Sequence, residues 1–288
     1  MGAIEGGALV RGLADQRRVR VIAADVRLAA EEAARLHQLS PAAAELCAQA
    51  ILAAALLSAH IKGEERLTVQ VQGQDPVLSM FAEIDAEGGV RARVSPTTAA
   101  PHAGGRLTGL MLTIKADARR EMYRGLTEVR DQTLEAALDT HLRDSAQTDA
   151  VLRIETRADE HGLHAACGIL IERLPAAAGE ASLDPEAFAA RYRSLPEGRA
   201  CDLVEGLRQC KLGDVSFSPL DDREVRWQCR CSQEKVEEML AGLGVDQLRA
   251  MADEDHGAEI TCHFCNSVYR VDEERLRELL AESGGWDA

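Results

Sequence analysis

Four of the eight cysteines sit in one stretch near the C-terminus, as Cys229-Arg230-Cys231 and Cys262-His263-Phe264-Cys265, with thirty residues between the pairs. Two close pairs brought together supply four thiolates, a donor set that suits tetrahedral zinc. The same thiols could form disulfides, or pass between a metal-bound and a disulfide state. Plain zinc ribbons mostly use C-x-x-C knuckles, so the C-x-C is unusual. Its single intervening residue leaves Cys229 and Cys231 close enough to oxidise to each other, in a small, strained and reducible ring. Spacing alone therefore leaves a fixed clip and a switch both standing. His256 and His263 lie close by as substitute ligands, but four thiols already complete the shell.

The elements that would position these thiols are short. Glu234 to Leu243 carries Val236, Met239, Leu240 and Leu243 at helical spacing, and a second helical stretch runs from Val245 to Met251. After Cys265 the chain reads as a strand leading into a C-terminal helix, with Asp272 as N-cap. Such a module has too little core to be stable without a staple. It is also acidic: from Cys229 to Ala288 there are 6 Lys/Arg and 14 Asp/Glu, a net of 6 − 14 = −8.

Upstream, Val19–Arg27 reads as a strand and Leu28–Gln38 as an amphipathic helix. Ser40-Pro41 then opens an Ala-rich helix that is apolar on nearly every face. Leu67–Gln72, Leu78–Ile84 and Val90–Val94 read as an antiparallel meander around the turn Asp85-Ala86-Glu87-Gly88-Gly89. Leu107–Lys115 and Met122–Leu126 suggest another strand pair. A helix capped by Thr133 follows, with Leu134, Ala137, Leu138 and His141 on one face. Val151–Arg157 and His164–Leu174 form a hairpin whose turn is flanked by His161 and His164, both expected to face solvent. Residues 176–184 form a small-residue linker. Residues 183–226 hold short helical patterns broken by Pro185, Pro196, Gly198, Gly213 and Pro219. The expected class is α+β: an antiparallel-sheet domain with a buried Ala-rich helix (1–176), a helical linker region (177–226) and a small zinc-binding domain (227–288). Cys47 and Cys167 read as core residues, and Cys201 and Cys210 as apolar fillers on helical faces, with auxiliary redox chemistry, including mixed disulfides, as the alternative.

Composition narrows the function classes. The chain has 288 residues, 46% hydrophobic and only 3% aromatic, so its core is built from Ala, Leu, Val and Ile. Its net charge is −15 and its pI near 5.0, which argues against nucleic acid or anionic membranes as partners. Pro41–Ile61 has the length of a membrane span but carries Glu45, Gln49 and His60, and so reads as a buried helix. The first residues lack the apolar core of a secretory signal, so the expected compartment is the reducing cytoplasm. There, clustered cysteines are more often metal ligands or redox groups than permanent disulfides. No G-x-S-x-G, phosphate loop or H-E-x-x-H is present. An enzyme reading, thiol–disulfide exchange at Cys262 and Cys265, would favour a helix N-terminus after the motif rather than a strand.

The C-x-C and C-x-x-C motifs with this insert resemble those of the redox-regulated 33 kDa heat-shock chaperone family. The segments "KGEERLTVQVQGQDPV", "REMYRGLTEV", "TLEAALDTHLRDSAQT" and "GILIERLPA" resemble that family's in the same order. The resemblance implies a non-enzymatic, ATP-independent holdase, inactive while Cys229, Cys231, Cys262 and Cys265 hold zinc. Oxidants would form Cys229–Cys231 and Cys262–Cys265 disulfides, release the metal and unfold the C-terminal region and linker. Surface for unfolding client proteins would then be exposed, and the active form would be a homodimer. Cys201 and Cys210 fall outside the family motif.

Overall fold

The computed structural model describes residues 7–74, 77, 79–175, 183–193, 200–212 and 215–284. The chain divides into two compact units, Met1–Gln228 and Cys229–Ala288. In order, the first contains β1 (Gly7–Ala14), β2 (Val19–Asp25), α1 (Arg27–His37), α2 (Pro41–Leu57), β3 (Arg66–Gly73), β4 (Ser79–Asp85), β5 (Gly89–Ser95), β6 (Leu107–Ala116), β7 (Glu121–Gln132), α3 (Leu134–Asp144), β8 (Ala150–Asp159), β9 (Gly162–Arg173), α4 (Pro185–Arg193), α5 (Ala200–Arg208), β10 (Lys211–Leu212) and β11 (Val215–Trp227). The second contains α6 (Gln233–Ala241), α7 (Val245–Asp253), β12 (Gly257–Thr261), β13 (Val268–Asp272) and α8 (Glu273–Gly284). The small-residue stretch 176–182 and the breaks at Pro196, Gly198 and Gly213 lie outside the described residues.

The strands of the first unit form one sheet in the order β7-β6-β3-β4-β5-β11-β1-β2-β9-β8, with β10 paired beside β11. Helix α2 packs against β3, β4 and β5 and also against β2, β8 and β9. Strands lie about 4.8 Å apart, so β3 and β8 would be about 34 Å apart across a flat sheet, some three helix diameters. One helix touches both groups only because the sheet curls around it.

The sequence of α2 suits that enclosure. Ser40 caps it, accepting a hydrogen bond from the Ala43 N–H at 3.3 Å, and Pro41 occupies the first turn. Twelve of its seventeen residues are buried, seven of them alanines whose small side chains admit strands on every side. At its closest approach to β9 there is no room for a side chain: a Cβ on Gly168 would lie 2.9 Å from Leu56 Cδ1. The polar residues of α2 are matched by β8, where the Ala158 N–H donates to Glu45 at 2.7 Å and Gln49 donates to Thr156 at 3.1 Å. Pro41–His60 is long and apolar enough to cross a membrane, but its side chains are spent inside the domain.

Half of the sheet is covered on both faces. Leu9, Ile22, Ala166 and Leu170 join the core around α2. Val10, Val19, Val21, Cys167, Ile169 and Ile171 point the other way, into a second cluster with Phe188 and Tyr192 of α4 and Val204 and Leu207 of α5. The burial of β9 is consequently almost continuous from Ala165 to Glu172.

Three sequence expectations change here. Pro219, expected as a breaker, lies within β11: Gly12 pairs with Pro219 and Arg11 with Asp221, leaving Leu220 bulged out and exposed. Cys167 lies in the core as read, but Cys201 is no simple filler: the two form a disulfide across 34 residues, made because α5 lies over the outer face of β9. Cys210, expected as a filler, is an exposed free thiol just beyond α5. Cys47 is a core thiol as read, and burial pushes it up to about 12. His161 and His164 are exposed, with His164 paired to Asp159 at 2.8 Å.

The β4–β5 turn shows why its glycines are needed. Asp85 accepts hydrogen bonds from the N–H groups of Glu87 and Gly89 at 3.0 and 2.8 Å. Gly88 has φ +89°, and a Cβ there would meet the Glu224 carbonyl oxygen at 2.0 Å. That approach lets β11 pair in parallel with β5, Arg226 opposite Gly89 and Trp227 opposite Val90. Arg223 then ties β11 to the end of α2, donating to the Ser58 carbonyl and hydroxyl at 3.3 and 3.2 Å.

Helix α3 is capped by Thr133 and buries Leu134, Ala137, Leu138 and His141, the face read from its spacing. His141 lies between the hydroxyls of Thr113 and Thr127, each at 3.2 Å.

Leu52 and His141 give two checks. Leu52→Ala should cost about 2–5 kcal/mol in urea unfolding, because the enclosing strands cannot close on the void; a loss below about 1 kcal/mol would contradict the enclosure of α2. Burial lowers the His141 pKa, so the unfolded chain takes up its proton first. Stability should be full above about pH 6.5 and fall as the pH drops below that value. His141→Gln should flatten this part of the profile of urea midpoint against pH, and an unchanged slope would contradict a buried, neutral His141.

Candidate metal centre

The second unit has a small core. Val236, Leu240, Leu248, Ala252, Val271, Leu276 and Leu279 are its buried apolar residues among those described. Its helices are short and locally specified. Ser232 caps α6, accepting from the Lys235 N–H at 3.3 Å, and Asp272 caps α8, accepting from the Arg275 N–H at 2.9 Å. Gly244, at φ +95°, makes the turn between α6 and α7. Arg275 fastens α8 to α6 through Glu237 at 2.8 Å and pairs within its own helix with Glu278 at 2.7 Å.

The four cysteines come from two segments. Cys229 and Cys231 lie in the short stretch before the Ser232 cap, where Lys235 Nζ donates to the Arg230 carbonyl at 2.7 Å. Cys262 and Cys265 occupy the knuckle between β12 and β13, strands paired antiparallel from Gly257–Asp272 to Thr261–Val268. The knuckle closes through Cys262 N–H to Ser267 O and Asn266 N–H to Cys262 O, both 2.9 Å. Asn266 takes the left-handed conformation at φ +56°.

These segments bring all four thiols together, with every Sγ within 4.8 Å of the others. Cys229 Sγ lies 3.3 Å from Cys231 and 3.6 Å from Cys262, and Cys231 Sγ lies 3.3 Å from Cys265. All four are partly buried free thiols. The group could hold a metal ion. Neither nearby histidine joins it: His256 Nδ1 pairs with Glu273 at 2.9 Å, and His263 is outside the cluster although it lies within the knuckle.

Two further residues act on the sulfurs. Tyr269 donates its hydroxyl hydrogen bond to Cys231 Sγ at 2.9 Å, and the Ser267 hydroxyl lies 3.2 Å from Cys265 Sγ. Burial raises the thiol pKa of Cys229 and Cys231, while Tyr269 opposes the rise at Cys231. Burial also works against the Cys265 thiolate, but hydrogen bonds with Ser267, and with Cys231 and Cys229, outweigh it and bring that thiol down to about 7. The donor at Cys231 and those at Cys265 act in favour of the thiolate, the form that binds metal and reacts with oxidants, and at Cys265 they prevail. The sequence signal for both residues was weak: they recur at two-residue spacing after Cys265, the side-chain period of the strand that follows the knuckle.

Known proteins resemble the chain over most of its length. A family model described as Hsp33 protein matches residues 7–272. A 33 kDa chaperonin of Pelobacter propionicus is 30% identical, covering 95% of this chain and 94% of that protein. A 33 kDa chaperonin of a Cyanothece species is 31% identical, covering 96% and 99%. The crystal structure of the 33 kDa chaperonin, or heat shock protein 33 homolog, of Thermotoga maritima superposes with a TM-score of 0.80 at 22% identity, covering 96% of this chain and 98% of that one. The mixed α+β fold read from the sequence is the fold of that structure.

The cluster makes a direct prediction. Cys262→Ser should weaken metal binding, followed by cobalt(II) titration, and should leave residues 229–288 more open to proteolysis without any oxidant. A variant that keeps wild-type affinity and the same resistance would contradict a four-thiol centre.

Proposed function

The chain belongs to the Hsp33 protein family, a family of chaperones, and on that premise we propose that it is a redox-regulated, ATP-independent holdase. The observation that carries this reading is the pairing of a four-thiol cluster with a unit whose buried core is seven side chains among the described residues. Cys229, Cys231, Cys262 and Cys265 would hold zinc. Zn–S bonds of about 2.3 Å place tetrahedral sulfurs about 3.8 Å apart, close to the spacings of 3.3 and 3.6 Å here. Bound zinc supplies folding free energy, on the order of 10 kcal/mol for a small module.

Oxidation would join Cys229 to Cys231 and Cys262 to Cys265. Each new S–S bond gives up two electrons to a peroxide, which leaves as two waters after taking two protons from solvent, since metal-holding cysteines are already thiolates. Disulfide sulfurs are poor metal ligands, so residues 229–288 would lose their staple and unfold. The metastable linker region, 177–226, would loosen with them and uncover apolar surface. Exposed apolar surface beside a charged, disordered segment suits unfolding client proteins of many sequences. The active form would be a homodimer in the cytoplasm, and the net charge of −15 suits neither nucleic acid nor an anionic membrane. Thiol–disulfide oxidoreductase chemistry fits less well, because Cys262 and Cys265 occupy a turn between two strands rather than a helix N-terminus.

The test treats reduced, zinc-loaded protein with peroxide at raised temperature. Zinc release, thiol count and suppression of aggregation of a heat-denatured client are then followed together. Oxidation with zinc release and suppressed aggregation is expected. Zinc release without suppression would refute the holdase. Zinc retention, under oxidant that consumes other thiols, would make the centre a fixed clip.

A further inference from the structure

The outer face of the β1-β2-β9-β8 half-sheet is apolar and is covered by two helices of nine residues each, α4 and α5. Helices of that length are not stable alone in water, so the cover depends on what fastens it. Tyr192 of α4 reaches the buried carboxylate of Asp15, at the β1–β2 turn, at 3.3 Å. At the start of α5 the Cys201 N–H donates to Glu155 of β8 at 3.2 Å. The same residue is bonded through its sulfur to Cys167, which stands opposite Glu155 in the β8–β9 ladder. Cys201 is thus fastened to two adjacent strands, once covalently. In a reducing compartment a disulfide is seldom permanent; it forms and breaks in use.

We propose that the Cys167–Cys201 bond is a redox latch on α5, opposed in sign to the four-thiol centre. Closing joins Cys167 Sγ to Cys201 Sγ, and the two electrons and two protons released convert one peroxide to two waters. Opening is exchange with a dithiol, whose sulfurs become a disulfide as Cys167 and Cys201 regain their protons. Cys201 is only partly buried, which gives the dithiol a sulfur to attack, whereas Cys167 is 5% exposed. The oxidant that would strip the four-thiol centre also locks the cover over Val19, Val21, Val151, Ile169 and Ile171. Apolar surface on this face is then uncovered fully only when oxidation of the centre coincides with an open latch. The opposition to activity rests on the holdase reading, but the latch does not.

The experiment is amide hydrogen exchange over residues 200–208, with cysteine alkylation read by mass on the full-length protein. In wild type, a dithiol should expose Cys167 and Cys201 to alkylation and speed exchange of α5 by roughly several hundredfold, the scale of a loop constraint of this length. Cys201→Ser should exchange at the fast rate with or without oxidant. Comparing it with wild type under the same peroxide cancels the contribution of the four-thiol centre. If Cys201→Ser does not fold, the wild-type comparison at constant zinc content decides. Free thiols at both positions after peroxide, or equal exchange in the two redox states, would overturn the latch. In the parallel client assay, oxidised Cys201→Ser should suppress aggregation at a lower ratio than wild type; equal suppression would overturn the opposition. If neither protein suppresses aggregation, the holdase reading fails, while the exchange data still decide the latch.

Discussion

Both faces of one half-sheet must be hidden from water, and most of the first unit follows from that. β2 and β9 alternate apolar side chains in both directions. One set meets α2, which is apolar all round and needs strands on every side. The other set meets α4 and α5, which come late in the chain. β11 then carries the chain back between β5 and β1 and so completes the sheet that encloses α2. The described residues 183–193, 200–212 and 215–227 are therefore structural members of the first unit, and they carry the shortest α-helices described in it.

The second unit solves the opposite problem. It has three short helices and a two-stranded ribbon, with caps at Ser232 and Asp272 and an arginine hub at Arg275, but few apolar residues to bury. Local interactions of this kind are each worth about a kilocalorie or less. They shape the unit without holding it together. The four sulfurs lie where its two segments meet, so their chemical state bears on the whole unit rather than on one loop. Tyr269 and Ser267 set how readily those sulfurs carry charge.

What could be read in advance was what is encoded locally. The caps Ser40 and Thr133, the buried face of α3, the β3–β5 meander and the β8–β9 hairpin all announce themselves within a few residues. The four-thiol cluster did as well, because two close pairs can meet in few ways. β1 and β11 did not. Gly12 and Pro219 weaken both as strand patterns, and their pairing joins residues about 210 apart, such as Arg11 and Asp221. The Cys167–Cys201 bond was hidden for a related reason: nothing near either cysteine says that α5 lies over β9. Tyr269 was visible only as a strand aromatic, since its hydroxyl partner lies 38 residues away.

The ladders on the two sides of β11 are unequal. Toward β1 it pairs along the full length of that strand, but toward β5 the parallel ladder holds two residues, Arg226 and Trp227, followed by the Gln228 N–H to the Val90 carbonyl at 2.8 Å. Cys229 is the next residue. The wall around α2 is therefore closed at that edge by a short seam, at the last residues of the first unit. β11 is thus held unevenly, by a full-length antiparallel ladder on one edge and by a two-residue parallel one on the other.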